Sequence, residues 1–216
     1  MGMNIGILGG TGKEGAGLAL RLARAGHAVV IGSRDAARAV EKSVELARVS
    51  GGQVRGASNV DAAQAADIVI AAVPFAGHRA LLGEIRAALA GKVLVDTVVP
   101  LDFKAPRPYA PPPEGSAAEE AQAVLGSGTR VVAALHQIAA HELSALDHAI
   151  EADGLYCGDD AAAKATVADL IRALPIRPID AGPLRNAAIL EALTPLLIDI
   201  NRRNKVRGAG IRITGL

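Results

Sequence analysis

The run Asn4-Ile5-Gly6-Ile7-Leu8 empties into Gly10-Thr11-Gly12-Lys13-Glu14-Gly15, and about twenty residues later a second apolar run ends in Gly32-Ser33-Arg34. Few folds accommodate a short apolar strand, a glycine-rich turn and a helix in that order. Gly10 suits a tight turn between strand and helix, Gly12 lets a pyrophosphate lie against bare backbone, and Gly15 lets the helix pack closely on its strand. A phosphate at this turn meets the free N–H groups and the positive dipole end of the helix. Where NAD-binding chains usually place an acid for the ribose 2′-hydroxyl, this one carries Gly32, a hydroxyl (Ser33) and a guanidinium (Arg34). An acid would repel a 2′-phosphate, whereas these two groups would bind one. A helix capped by Asp35 would place Arg38 about one turn from Arg34, so that both could clasp the same phosphate. NADP(H) is therefore the expected nucleotide.

With 24 glycines in 216 residues, such a string arises by accident easily, and its context must carry the argument. That context is favourable. Ala16 to Ala25 has apolar residues at helical spacing, and His27 to Ile31 reads as a strand, giving strand, turn, helix, strand. Helix-like (35–49 and 61–66) and strand-like (54–56) segments follow, and then Asp67 to Pro74, apolar as a central parallel strand should be. Pro74 ends that run at the carboxyl edge, where open α/β sheets bind ligands. A helix over 77–90 and a strand over 92–96 complete a doubly wound pattern.

Lys104 to Pro113 is proline-rich and must be a loop. Ser116 and Glu119 form a capping-box pattern ahead of a helix to Leu125. Arg130 to Leu135 reads as a strand ending at His136, and short strands at 154–157 and 176–179 flank a helix at 161–173. A long helix from Leu184 to Arg203 bears Ile189, Leu193, Leu196, Leu197 and Ile200, and a basic tail follows it.

Two Phe, two Tyr and no Trp leave an aliphatic core, and a formal charge of +1 offers no broad basic field for nucleic acid. Cys157 stands alone, so no internal disulfide is expected. Neither a signal peptide nor an apolar span of about twenty residues is evident, which leads to the expectation of a cytoplasmic protein away from membranes. No metal-ligand spacing joins the histidines to Cys157 or the carboxylates.

A nicotinamide nucleotide implies hydride transfer, and enzymes acting on alcohols or hydroxy acids need a proton donor and acceptor beside the carbon. In hydroxy acid enzymes with this kind of first domain, a lysine early in the long helix after the sheet does that work. Here the helix opens Leu184-Arg185-Asn186-Ala187, with no lysine before Lys205. Carbonyl chemistry is disfavoured. His136 lies at a strand end on the ligand edge, where site and structural roles remain open. His27, His78 and His148 read as surface or packing residues, and Asp159 and Asp160 as a turn and helix cap.

The ordered segments GILGGTGKEG, GLALRLARAGHAVVIGSR, ADIVIAAVPF, SAAEE, ALHQIAA, YCGDD, DAGPLRNAAILEALTPLLIDINR and GIRIT span nearly the whole chain. In them the chain resembles the F420H2:NADP oxidoreductase family. The resemblance implies an α/β fold, Rossmann-like and doubly wound, with a mostly parallel sheet over 1–181. A small C-terminal helical extension, 182–216, would serve the substrate edge and a homodimer contact. It implies hydride exchange between nicotinamide C4 and C5 of the deazaflavin coenzyme F420. Two stacked redox rings need proximity and orientation but no side-chain acid or base, which accounts for the missing lysine. On this reading Gly10, Thr11, Gly12 and Lys13 carry the pyrophosphate, and Ser33, Arg34 and Arg38 the 2′-phosphate. Val73, Pro74 and Val98 flank the nicotinamide, and His136, Gln137 and Ile138 border the deazaflavin. The tail cations Arg202, Arg203, Lys205, Arg207 and Arg212 are candidates for the anionic tail of F420. The chain departs from the family pattern at Phe75, Ala139 and the proline-rich loop. Rival readings are an NADPH-dependent reductase of a flavin, a quinone or a small carbonyl compound, and a non-catalytic NADPH-binding redox sensor.

Overall fold

In the computed structural model, which describes residues 2–216, the apolar runs form eight strands. These are β1 (Asn4–Leu8), β2 (Ala28–Ser33), β3 (Val54–Ser58), β4 (Ile68–Ala71), β5 (Val93–Asp96), β6 (Arg130–Ala134), β7 (Asp153–Gly158) and β8 (Arg177–Asp180). They make one sheet in the order β3-β2-β1-β4-β5-β6-β7-β8. Every neighbouring pair is parallel except β6 and β7, which run antiparallel with Ala134 opposite Tyr156. The order reverses between β1 and β4. At such a switch point the crossovers leave toward opposite faces and a crevice opens at the carboxyl ends of the strands.

Side-chain alternation feeds two cores. Along β4, Ile68 and Ile70 join one face, with Leu18 and Leu22 of α1 (Lys13–Arg24), Leu46 of α2 (Ala36–Ser50), Leu143 of α6 (Ala140–Ser144) and Leu170 of α7 (Ala161–Ala173). Val69 and Ala71 join the other, with Ala62 of α3 (Asn59–Gln64), Leu82 of α4 (His78–Ile85), Ala121 of α5 (Ala117–Leu125) and Leu190 of α8 (Ala187–Asn204). A strand covered on both faces has no polar side to show, which is why its sequence is apolar throughout.

Several element boundaries differ from the sequence expectation. α1 begins at Lys13, because Gly12 already has the extended backbone of an N-cap. β4 stops at Ala71. Ala72 N–H still donates to the Leu8 carbonyl at 3.0 Å, but Val73 and Pro74 leave the ladder, and proline has no N–H with which to rejoin it. The 77–90 run divides into α4 and a 3-10 segment, Arg86–Leu89. The last helix becomes a 3-10 turn, Leu184–Asn186, and then α8, which carries Pro195 inside it.

The caps were legible. Asp35 accepts from Arg38 N–H at 3.2 Å, and Asp160 from Ala163 N–H at 2.7 Å. Ser116 Oγ accepts from Glu119 N–H at 3.0 Å, but the glutamate closes the box by accepting the Ser116 hydroxyl at 2.8 Å rather than a backbone N–H. Among the described residues, no helix is long and apolar enough to cross a membrane.

Candidate nucleotide cleft and the adjoining sheet edge

Four glycines shape the turn after β1, and their roles are distributed differently from the sequence expectation. The left-handed residue is Gly9, at φ +73°, and not Gly10. Gly10 is needed for space, since a Cβ there would lie 2.6 Å from Cβ of Ile31 on β2, and its N–H donates to the Gly32 carbonyl at 3.0 Å. At Gly15 a Cβ would lie 2.7 Å from Cα of Gly10, so this glycine does seat the helix on the turn. Gly12 is crowded only by the Gly9 carbonyl, at 3.2 Å, and borders the cleft. No side chain caps α1, as none caps α4, α6 or α8, whereas α2, α3, α5 and α7 are each capped by an Asp or Ser. The first N–H groups of α1 are thus left for an anion, and the helix dipole favours negative charge there.

Beside this turn lies a cleft of about 670 Å³ lined by Thr11, Gly12, Ser33, Arg34, Arg38, Val73 and Pro74. Seven residues selected from three separate parts of the sequence share one wall. Ser33 Oγ accepts from Asp35 N–H at 3.2 Å, which leaves its own hydroxyl hydrogen to donate into the cleft. Arg34 and Arg38 are exposed side chains at the mouth of α2. Gly10 lies behind the turn, Lys13 opens α1 with an exposed side chain, and Val98 lies buried beyond the end of β5; none of these three lines the cleft. Sequence reasoning missed Asn59. Its Oδ1 accepts from Gly9 N–H at 3.3 Å and ties the glycine turn to the start of α3. The available signal was a polar residue next to the N-cap Ser58, at the carboxyl end of a strand.

The second group of predicted residues lies farther along the same edge, at the end of β6. Leu135 takes φ +66°, a left-handed conformation that costs a non-glycine residue roughly 1–2 kcal/mol. Surrounding bonds impose it: Ile138 N–H donates to the Leu135 carbonyl at 3.0 Å, Thr194 Oγ1 on α8 donates to the His136 carbonyl at 2.7 Å, and Gln137 Nε2 donates to the Asp153 carbonyl at 2.6 Å. Held in this way, His136 is 6% exposed with neither ring nitrogen partnered, and the buried Gln137 Oε1 is also without a partner. Gln137 and Ile138 line a separate cavity of about 370 Å³, closed by Glu142, His148 and the tail at Gly208 to Gly210.

Burial pushes the imidazole of His136 down to about 4, against the opposing charge of Asp96. The folded protein therefore keeps this ring neutral where the unfolded chain, near 6.5, binds a proton. A depressed folded value means stability that is complete above pH about 6.5 and lost as pH falls toward 4. Between pH 7 and 4 the wild-type protein is expected to lose roughly 3 kcal/mol more than His136→Gln, measured by urea unfolding at each pH. Parallel losses in the two proteins would show that His136 is not a neutral buried ring.

The other histidines divide between the two roles left open for them. His27 Nδ1 accepts from Met3 N–H, and His148 is exposed beside Glu142. His78 is fully buried between Asp96 and Glu120. Asp159 receives the N–H of Leu184 at 2.9 Å.

Comparison with known proteins bears on what this edge serves. Residues 4–100 match the family described as NADP oxidoreductase, coenzyme F420-dependent. The F420-dependent NADP reductase of Methanothermobacter marburgensis is 44% identical, with 99% of each chain covered, and that of Methanocaldococcus jannaschii is 40% identical with the same coverage. A crystal structure from Arthrobacter sp. FB24 superposes with a TM-score of 0.85 at 30% identity, covering 99% of this chain and 100% of that one. Similarity of this extent, from the glycine turn to the C-terminal tail, shows that the chain belongs to the F420-dependent NADP reductases.

Proposed function

We propose that this protein transfers a hydride between NADP(H) and coenzyme F420, binding the two side by side along the carboxyl edge of its sheet. The observation that carries the reading is the sequence of sites along that edge. A cleft lined by Ser33, Arg34, Arg38, Val73 and Pro74 lies on the same carboxyl edge of the sheet as the end of β6, where His136 and Gln137 carry unpartnered polar atoms. Buried polar groups left unpaired cost about 1–3 kcal/mol each, and a fold that holds two in neighbouring residues at a ligand edge is shaped for a polar ligand.

Ser33, Arg34 and Arg38 would read the 2′-phosphate, while the turn of Gly10, Thr11, Gly12 and Lys13 would hold the pyrophosphate at the uncapped start of α1, Gly10 shaping that turn from behind with its N–H on the Gly32 carbonyl. Val73, Pro74 and Val98 would flank the nicotinamide, and His136, Gln137 and Ile138 would border the deazaflavin. When bound, the two coenzymes supply the redox chemistry, nicotinamide C4 and deazaflavin C5 exchanging the hydride. The chain supplies orientation and exclusion of water, with no catalytic acid or base. His136, neutral near pH 7, can donate one hydrogen bond and accept another without adding charge beside the rings.

Residues 182–216 would complete the substrate edge and form the subunit contact of a homodimer. On α8, Ile189 and Leu196 are 65% and 53% exposed, and Ile200 is 37% exposed, while Leu197 faces the core. An apolar stripe left open on an otherwise packed helix suits a second copy of the chain. Both substrates are freely diffusing coenzymes, which fits a cytoplasmic setting.

The test is turnover of NADPH with F420, followed as loss of F420 absorbance, with FMN and riboflavin in parallel and sedimentation of the same preparation. Rapid turnover with F420 by a two-copy species is the expected result. Turnover with FMN but not F420 would replace F420 as the acceptor, and binding of NADPH without turnover would make the chain a sensor.

A further inference from the structure

Behind the proposed nicotinamide end of the cleft lies a line of charged side chains that the mechanism above does not use. Asp96 ends β5 and is 0% exposed. Its Oδ1 accepts from Val98 N–H at 2.9 Å, closing an Asx-turn that sets the direction in which the chain leaves the sheet. Its Oδ2 faces His78 Nε2 at 2.9 Å, and His78 Nδ1 faces Glu120 Oε1 at 3.1 Å. Glu120 Oε2 in turn accepts from Arg79 Nε at 3.1 Å, and Arg79 reaches the surface, where it also pairs with Glu114 at the end of the proline-rich loop. Thr97 Oγ1 donates to the Ala71 carbonyl at 2.9 Å, tying the same turn to β4 just before Val73 and Pro74.

The geometry favours the protonated form of His78. Each ring nitrogen faces a carboxyl group, an arrangement in which a charged ring can donate from both nitrogens at once. Burial works against that charge, but Asp96 and Glu120 outweigh it and hold His78 above the ordinary histidine range. A buried ion pair of this kind adds little net stability compared with the aliphatic side chains that fill the rest of this core. What it provides is direction, since His78 on one oxygen of Asp96 orients the carboxyl group whose other oxygen holds Val98 N–H.

We propose that His78 and Asp96 are a positioning pair for hydride transfer, fixing the Thr97–Val98 turn that backs the nicotinamide end of the cleft, with Glu120 and Arg79 bracing the pair from behind. This rests on the placement of the nicotinamide beside Val98 proposed above. Neither residue touches the reacting atoms. Their effect passes through one backbone turn, so it should fall on the rate of transfer and spare the hold on the adenosine half of the nucleotide.

The test uses His78→Leu, which removes both contacts; His78→Gln, which keeps one amide donor for Asp96; and Glu120→Gln, which keeps the packing and loosens the brace. Amide hydrogen exchange is measured first on the protein alone. Exchange at Val98 should quicken at least tenfold in His78→Leu, while Leu94 and Val95 on β5 stay unchanged, with His78→Gln between the two proteins. Single-turnover reduction of F420 by NADPH should slow at least tenfold, the deuterium isotope effect with C4-labelled NADPH should rise in steady state, and the Kd of 2′,5′-ADP should stay within twofold. If His78→Leu does not fold, Glu120→Gln carries the same measurements, with a smaller change in the same direction.

A folded variant with unchanged Val98 exchange, or with fast exchange but a wild-type transfer rate, overturns the pair. Loss of rate that only tracks loss of folded protein, with no change in isotope effect, does the same. Failure of the underlying placement has its own signature, because NADPH added to the wild-type protein would then leave Val98 exchange unaltered.

Discussion

In Arg34→Ala, NADPH binding is expected to weaken ten- to a hundredfold while NADH binding changes less than twofold. A charge-assisted hydrogen bond to phosphate contributes roughly 1.5–3 kcal/mol, and each 1.4 kcal/mol is a factor of ten in affinity. NADH has no 2′-phosphate and loses nothing. The guanidinium stands at the mouth of α2 beside Ser33, with Arg38 about one turn along, so a single truncation leaves one cation in place. The double variant Arg34→Ala/Arg38→Ala should therefore lose more than either single change, and by less than the product of the two if both clasp one phosphate. Fluorescence titration with the two nucleotides measures this at fixed ionic strength, because exposed cations are screened by salt. Equal losses for NADPH and NADH would remove the 2′-phosphate from the account of Ser33, Arg34 and Arg38.

The second large effect is expected at a residue that the sequence did not single out. Glu191 lies on α8 at 0% exposure, and its carboxylate accepts from Ala117 N–H at 3.1 Å, Ala118 N–H at 3.2 Å and the Tyr109 hydroxyl at 3.0 Å. One side chain thus satisfies the first orphan amides of α5 and anchors the proline-rich loop to the last helix. Glu191→Ala leaves those groups buried without partners, and the expected cost is about 3–5 kcal/mol, or a fall of roughly 10 °C in Tm. Glu191→Gln retains an acceptor and should cost much less.

Glu191 also gives a pH signature. Burial pushes its carboxyl up to about 7, with the Ala117 and Ala118 amides opposing. A raised folded value means that its contribution is fullest below about 4.5 and is lost as pH rises through about 7. This is the reverse of His136, so the two slopes partly cancel in the wild-type protein between about pH 4.5 and 6.5. Removing the glutamate titration in Glu191→Gln should expose the acid sensitivity of His136, seen as a steeper loss of Tm on going from pH 6.5 to 4.5. An unchanged slope would mean that Glu191 does not titrate in this range.

How much was legible in the sequence depended on how far apart the cooperating residues lie along it. The glycine turn and Gly32-Ser33-Arg34 are each contiguous, and the turn, one strand and one helix are enough to propose what they bind. Boundaries slipped where a local rule met a tertiary one. Gly9, not Gly10, takes the left-handed turn, and Gly10 is instead required by its close approach to Ile31 on the next strand. β4 ends before Val73 because Pro74 cannot pair, and the freed residues then line the cleft.

Chain order alone determined a doubly wound α/β sheet, the glycine turn and the pair of arginines beside the second strand, since alternating periods of two and 3.6 and the spacing of glycines are local properties. The tertiary structure decided what lies beyond. His78, Asp96 and Glu120 come from α4, β5 and α5, and Glu191 meets Ala117 across 74 residues. No periodicity announces such meetings, because a buried charge is specified by the partners that surround it, and those arrive only when the helices close over the sheet.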